Sequence, residues 1–196
     1  MANYGLARPY IGKLDVATGT YSNGFRCGKA VNTDITPNYN EGSLFGDNQL
    51  QEYVKEFKDA DVNLGVTELP LKSADTVFGH TVNQEKKSIT YKASDDSNYV
   101  GYGIYANEMV NGVKSYVGVF LPKVKFTEAA ESYSTKGDAI EFKTPTLAGK
   151  AYALENGVWK ERQIFETEEE VQAWLEGKVE ITETENTETE NNEATS

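Results

Sequence analysis

A run of alternating apolar and polar residues, joined to a second run through Asn-Gly, constrains the fold of this chain most strongly. Val100, Tyr102 and Ile104 share one face of the segment 99–106, and residues 114–121 follow shortly after Asn111-Gly112. A period of two residues is typical of a β-strand. Asn-Gly accommodates the positive φ angles of a tight hairpin turn. The segment therefore predicts an antiparallel β-hairpin.

Further strand signals occupy much of the chain. Asn156-Gly157 separates residues 150–154 from residues 158–165, so a second hairpin is predicted there. Strand-favouring segments also occur at 30–39 and 53–64, and around Ile140 and Phe142. About eight strands with two short helices predict a mainly β protein, an antiparallel β-sandwich with one or two flanking α-helices.

Two segments carry helix signals. Thr167 and Glu170 form a capping-box pattern, which favours a helix over about 168–176 ending at Gly177. Its apolar stripe comprises Val171, Trp174 and Leu175. A second short helix is predicted over 71–78, where helical spacing relates Leu71, Ala74, Val77 and Phe78.

The length of 196 residues predicts one domain with a short appendage. Residues 179–196 contain six Glu and no basic residue, a composition that cannot bury enough apolar surface to fold. We therefore predict a folded domain over 1–178 and an acidic, disordered tail over 179–196. The formal net charge is −12, and removing the tail leaves −6.

The acidity of the chain excludes several classes of partner. A net charge of −12 repels nucleic-acid phosphates and anionic membrane surfaces. No apolar run is long enough to span a membrane, and the first ten residues lack the apolar core of a signal peptide. We expect folding in a cytosol, which the single cysteine, Cys27, also favours.

Patterns that superficially match catalytic or cofactor sites fail on spacing or context. Gly24–Lys29 lacks the spacing of a phosphate-binding loop, and Gly101–Ala106 lies within a strand pattern rather than at a strand-to-helix turn. His80 and Cys27 are too few for a zinc site, and Asp95–Asn98 lacks the features of a calcium loop. We predict no catalytic residue, no cofactor and no metal, and hence a protein that is not an enzyme.

The segment 40–52 is the most informative irregular stretch. It is predicted to be a long inter-strand loop of about thirteen residues, longer than a hairpin usually requires. Its apolar side chains, Leu44, Phe45 and Leu50, have no core of their own, which favours contact with a partner.

A series of ordered segments resembles the major tail protein of siphophages that infect Gram-positive bacteria, the subunit of the tail tube. The resemblance covers about residues 3–176. The segments that carry it are 4–14, 21–30, 36–44, 52–58, 69–71, 78–80, 98–103, 116, 121–126 and 143–147.

The resemblance implies a structural virion protein that assembles into stacked, hexameric rings, forming a tube through which DNA passes into the host without specific binding. It also implies tape measure, tail-tip initiator and tail terminator proteins as partners, no membrane association, and assembly in the host bacterial cytoplasm. The inter-ring contacts would come from the 40–52 loop, through Asn40, Glu41, Ser43, Leu44, Phe45, Asp47 and Leu50. The acidic residues expected to face the lumen are Glu52, Glu56, Asp59 and Asp61.

The alternative, from a different functional class of protein, is a carbohydrate-binding β-sandwich module. Twelve Tyr and two Trp could stack on sugar rings. Aromatic residues at alternating strand positions are more often part of a core, which favours the tube subunit.

Overall fold

The computed structural model describes residues 2–110, 112–128 and 144–181. The strand predicted around Ile140 and Phe142 lies outside the described residues, and so do residues 182–196 of the tail predicted over 179–196. The elements, in chain order, are β1 Ala2–Leu6, β2 Tyr10–Leu14, β3 Tyr21–Arg26, β4 Ala30–Gly46, β5 Gln49–Val66, α1 Leu71–Thr76, β6 Thr81–Asn83, β7 Ser88–Thr90, β8 Tyr99–Val110, β9 Val113–Phe126, β10 Thr146–Ala151, β11 Glu161–Phe165 and α2 Glu168–Val179.

Nine antiparallel strands form one sheet in the order β3-β2-β8-β9-β10-β5-β4, with β1 also paired to β8 and β11 to β9. The sheet folds over so that Thr33 of β4 meets Tyr102 of β8, with 2.9 Å between their hydroxyl oxygens. Between the layers lies an apolar core that includes Ile11, Leu64 and Leu121. The predicted fold class, mainly β and antiparallel with two short helices, is confirmed.

The segment 40–52 is not an irregular loop, so that prediction was wrong. Strand β4 continues to Gly46 and pairs with β5 from Asn40 opposite Glu56 to Gly46 opposite Gln49. Asp47 and Asn48 form the two-residue turn, with φ of 51° and 62°. Asp and Asn tolerate positive φ because their short side chains hydrogen-bond locally, so this pair replaces the more familiar Asn-Gly.

Of the two hairpins predicted at Asn-Gly pairs, one is present in the structure and the other is not. Strands β8 and β9 pair up to Val110 opposite Val113, which confirms the first hairpin. At the second site the turn forms, with Gly157 at φ 81°. The flanking strands do not pair with each other: β10 pairs with β5 and β9, whereas β11 pairs with β9. The hairpin predicted there was wrong, because β9 offers both strands a better partner.

Helix α2 begins as predicted and ends later. The Thr167 hydroxyl accepts from the Glu170 backbone N–H, and the Glu170 carboxylate accepts from the Thr167 backbone N–H, both at 3.3 Å. The helix passes through Gly177 and ends at Val179, where Glu180 takes the left-handed conformation. Val179 is fully buried, which explains the extra turn.

Glycines in four strands let α2 lie close to the sheet. A Cβ at Gly12 would come within 2.9 Å of the Val179 side chain, and one at Gly103 within 2.6 Å of Leu175. One at Gly118 would approach Trp174 to 2.8 Å, and one at Gly24 would collide with the Val179 carbonyl. These positions form a glycine floor under the helix.

Candidate assembly surface

The far half of the β4–β5 hairpin projects from the sheet as a two-stranded ribbon. The last pair between β10 and β5 joins Ala151 to Ala60, so residues 49–59 of β5 pair only with β4. We call residues 38–46 and 49–59 the ribbon. At about 3.3 Å per residue, it extends roughly 30 Å from the sheet.

Both edges of the ribbon lack a neighbouring strand among the described residues. Isolated two-stranded ribbons are only marginally stable in water. Their unpaired backbone N–H and C=O groups also provide a template for pairing with another chain. The ribbon therefore presents, within the described residues, two strand edges at which another strand could pair.

A β-bulge at the base of the ribbon sets which residues share a face. Asn38 lies opposite Asp59 and Tyr39 lies opposite Phe57, so Lys58 is the extra residue. An ideal strand would place residues 56 and 59 on opposite faces, since side chains alternate. The bulge reverses that alternation and brings both residues onto the same face.

One face of the ribbon is acidic. Direct cross-strand partners project to the same side of a sheet. The register therefore places all four predicted lumen residues on this side of the β4–β5 hairpin, since they lie opposite Leu44, Asn40, Asn38 and Thr36, the last of these pairs just below the base of the ribbon. The four are Glu52, Glu56, Asp59 and Asp61. Leu44 and Val54 lie on the acidic face as well, and their side chains are 59% and 53% exposed.

The opposite face carries exposed aromatic and aliphatic side chains, and we call it the aromatic face. Phe45, opposite Leu50, is 66% exposed, and Tyr53 is 52% exposed. Lys55 bridges to the Glu41 carboxylate at 2.8 Å and lies 4.3 Å above the Tyr39 ring. The hydrogen bond from Lys55 is the main cause that lowers the pKa of Glu41.

The predicted inter-ring residues all lie on the ribbon or its turn, divided between the two faces. Glu41, Ser43, Phe45 and Leu50 lie on the aromatic face, Asn40 and Leu44 on the acidic face, and Asp47 in the turn. Sequence reasoning missed Tyr39, Tyr53 and Val54. Tyr39 and Tyr53 lie in the segments 30–39 and 53–64 that were predicted as strand, but the sequence pattern did not indicate that their side chains are exposed.

A cluster of stacked rings and ion pairs fixes the base of the ribbon. Phe57 stacks on Trp159 with ring centroids 4.6 Å apart and an interplanar angle of 15°. On the other face, the Asn38 side-chain amide donates to Asp59 at 2.8 Å and to Asp61 at 2.7 Å. Lys150 donates to the same two carboxylates at 3.0 and 2.9 Å. Contacts on both faces therefore hold the angle at which the ribbon leaves the sheet.

This cluster predicts a dependence of stability on pH. Hydrogen bonds from Asn38, followed by those from Lys150, lower the pKa of both Asp59 and Asp61. A carboxylate whose pKa is lower in the folded state than in the unfolded state stabilises the fold at pH values above its unfolded-state pKa, about 4. This stabilisation is lost as the pH falls through the folded-state pKa. Asp61→Asn cannot titrate, so its deficit in unfolding free energy at neutral pH should shrink below about pH 4.

Denaturant titrations at neutral and acidic pH measure this difference. Lys150→Met, which removes the second donor to both carboxylates, should also weaken the pH dependence. Equal pH dependence in the wild type and both variants would show that the cluster does not stabilise the ribbon base.

The residues that the sequence analysis rejected as catalytic or metal-binding sites have structural roles. His80 packs against Tyr91 and its Nδ1 lies 2.9 Å from an Asp95 oxygen. The Asn98 amide donates to the last carbonyls of α1, at Asp75 and Thr76. Burial raises the pKa of the Cys27 thiol to about 12, which leaves it protonated and unreactive at neutral pH.

Within the described residues, no group of three or more His, Cys, Asp or Glu side chains could hold a metal ion. The same part of the chain contains no helix with the length and apolar character needed to cross a membrane.

No family model matches the sequence, and neither does any curated protein. Among solved structures, the chain is similar to the anti-feeding prophage cap, a tube-terminating cap determined by cryo-electron microscopy. The two are 12% identical with a TM-score of 0.40, over 83% of this chain and 93% of the cap chain. At this level, the likeness establishes neither a family nor a function.

Proposed function

We propose that this protein is a structural subunit of a phage-type tail tube, which polymerises as stacked hexameric rings around a channel for DNA. The ribbon carries the proposal: it projects about 30 Å, has no second strand partner at either edge within residues 2–110, 112–128 and 144–181, and exposes apolar side chains on both faces. The resemblance of residues 3–176 to siphophage major tail proteins supplies the ring number. By the same resemblance, tape measure, initiator and terminator proteins are its partners in the virion, and assembly takes place in the host bacterial cytoplasm.

In this proposal the aromatic face of the ribbon docks on the next ring. Phe45, Leu50 and Tyr53 are each more than half exposed in the single chain. Full burial of one large apolar side chain contributes about 1.5–3 kcal/mol. Three such side chains, repeated six times around a ring, would hold successive layers together.

Ring closure would use the two strands at the ends of the strand order. Strands β3 and β4 end the strand order, and neither has a second partner in the described part of the chain. Pairing β4 of one copy with β3 of the next would be a heterologous contact, which closes into a ring when the rotation per copy divides a full turn. It would also satisfy the unpaired backbone groups of both edges.

The acidic face of the ribbon would then line the channel. Glu52 and Glu56 are exposed, whereas Asp59 and Asp61 are bonded to Lys150, so the first two would supply most of the free negative charge. Like-charge repulsion would keep DNA from adhering to the wall.

Glu52→Lys combined with Glu56→Lys is therefore expected to slow DNA ejection from intact virions. Glu85→Lys with Glu155→Lys makes the same change in net charge at exposed positions away from the ribbon and is the matched control. Ejection at the wild-type rate in the ribbon variant would contradict the channel assignment.

The arrangement favours a structural role over an enzyme or a carbohydrate-binding module. Among the described residues, Cys27 is buried, and His80 is buried and bonded to Asp95. Many aromatic rings that could have stacked on a sugar lie in the core, among them Tyr10, Tyr102 and Tyr105. The exposed rings concentrate instead on the ribbon.

Negative-stain electron microscopy of concentrated protein, alone and with a tail-tip initiator, tests the proposal. Hollow tubes of uniform diameter are expected. Particles that stay single under both conditions, or that are retained on a glycan column, would reject it in favour of a monomeric or sugar-binding protein.

A further inference from the structure

A small hairpin outside the main sheet carries a group of lysines in this acidic protein. Strands β6 and β7 pair with each other and, among the described residues, with no other strand. Lys86 and Lys87 are exposed in the turn between them, and Lys92 is exposed shortly after β7. Residues 81–92, which we call the lysine hairpin, contain these three lysines and one acidic residue, Glu85. Their formal charge is therefore +2, in a chain whose net charge is −12.

The lysine hairpin lies at the end of the molecule opposite the ribbon tip. Strand β5 runs from the tip to Val66, and its eighteen residues extend roughly 55–60 Å. Helix α1 follows at Leu71 and packs beside β6. The Asn98 backbone N–H donates to the Val77 carbonyl at 2.8 Å, which joins the start of β8 to the end of α1. The tip of the ribbon therefore cannot contact the lysine hairpin of its own chain, but it can contact that of a second copy.

Contacts at its base hold the lysine hairpin in one position. The Tyr91 ring packs against His80 with ring centroids 4.5 Å apart. The Lys92 backbone N–H donates to an Asp95 carboxylate oxygen at 2.9 Å, and His80 Nδ1 lies 2.9 Å from the same oxygen. A surface that is ordered before its partner arrives loses less conformational entropy on binding.

We infer that the lysine hairpin is the surface on which the ribbon tip of a second copy docks. The ribbon and its turn, residues 38–59, contain five carboxylates and two lysines, a formal charge of −3 that is opposite in sign to the charge of the lysine hairpin. Asp47 is exposed in the turn, at the extreme end of the ribbon, where it would lie nearest to Lys86 and Lys87. Complementary charges of this kind select the partner and fix its orientation.

Apolar side chains accompany the charges on both surfaces. Phe45 and Leu50 flank the ribbon turn and are 66% and 55% exposed, and Tyr91 is 52% exposed beside the lysines. Packing the Phe45 ring on the Tyr91 ring would give an apolar centre surrounded by charged residues, the usual anatomy of a protein interface.

This inference rests on the proposed function and names the surface that receives the ribbon. The ribbon tip and the lysine hairpin are different surfaces at opposite ends of one chain, so their contact is heterologous and can be repeated from layer to layer without limit. Glu52 and Glu56 lie on the acidic face, so they stay available to line the channel while the aromatic face docks.

Zero-length carbodiimide crosslinking of concentrated protein, followed by peptide mapping, tests the docking directly. Asp47 should link to Lys86 or Lys87 about tenfold more often than to Lys114 or Lys160, which are exposed elsewhere on the chain. Mixing protein labelled with ¹⁵N and unlabelled protein identifies the links between copies, because they join labelled peptides to unlabelled ones.

Equal yields at the four lysines would overturn the inference, and so would links from the lysine hairpin to an added tail-tip initiator alone. The outcomes separate the docking from the proposed function. Tubes without the expected links would reject the docking and keep the tube, whereas links without tubes would keep the docking and reject the tube.

Reversing the charge of the turn provides a second test. Lys86→Glu with Lys87→Glu should raise the protein concentration at which assembly begins by about tenfold, because two attractions become repulsions. Lys114→Glu with Lys160→Glu makes the same change in net charge outside both surfaces and is the matched control. Light scattering measures the threshold, and circular dichroism verifies that each variant folds. An unchanged threshold in the hairpin variant would contradict the docking.

Discussion

A variant without the ribbon tip is expected to fold and to remain monomeric under conditions in which the wild type assembles. Asn40 pairs directly with Glu56, so residues 41–55 can be replaced by Asn-Gly, a pair suited to the resulting two-residue turn. The residues removed make no contribution to either core cluster. The body should therefore keep its stability while it loses the contacts to the next ring.

Light scattering and electron microscopy measure the loss of assembly, and thermal unfolding verifies the fold. A milder variant, Phe45→Ser with Leu50→Ser, keeps the ribbon and removes its most exposed apolar pair. Its matched control is Val16→Ser with Ile164→Ser, which lie outside the ribbon and are similarly exposed. Tubes formed by the ribbon-deleted protein would refute the inter-ring role.

Gly24→Ala is expected to destabilise the folded chain strongly. A Cβ at this position would collide with the backbone carbonyl of Val179, and backbone cannot move aside as a flexible side chain can. Overpacking of this kind costs about 1–3 kcal/mol, and the value here should lie at the upper end. Helix α2 would have to lift from the sheet, exposing Val179 and Leu175, both fully buried.

Gly177→Ala is the matched control within the same helix. Apart from its chain neighbours and the backbone of its own helix, no atom of the described residues lies within 4 Å of a Cβ at Gly177, and replacing a helical Gly by Ala stabilises by about 0.5–1 kcal/mol. Chemical denaturation should thus give shifts of opposite sign for the two substitutions. A Gly24→Ala protein as stable as the wild type would mean that α2 does not lie on the glycine floor.

Locally determined elements were predictable from the sequence. The capping box at Thr167 and the hairpin turn at Gly112 depend on a few adjacent residues, so their patterns identify them. The part of the ribbon over 40–52 was not recognised as strand because both its faces meet solvent, which removes the apolar alternation that marks a half-buried strand. Its register also depends on a bulge at Lys58, for which no sequence rule exists.

The candidate site was predicted only in part, because some of its features depend on local sequence and others on contacts between distant residues. Apolar residues in a polar stretch identified Leu44, Phe45 and Leu50 as surface candidates, and all three are exposed on the ribbon. The bonds from Lys150 to Asp59 and Asp61 join residues about ninety positions apart, which no local pattern reveals. The end of α2 was misjudged because tertiary burial of Val179 outweighs the helix-ending tendency of Gly177.

A cryo-electron microscopy reconstruction of the concentrated protein assembled on its initiator tests the central claim most directly. The account predicts a hollow tube in which the ribbon of each subunit spans to the adjacent ring, with Phe45, Leu50 and Tyr53 buried there and Glu52 and Glu56 facing the channel. A tube in which the ribbon remains solvated on both faces, or a sample that contains only single chains, would contradict it.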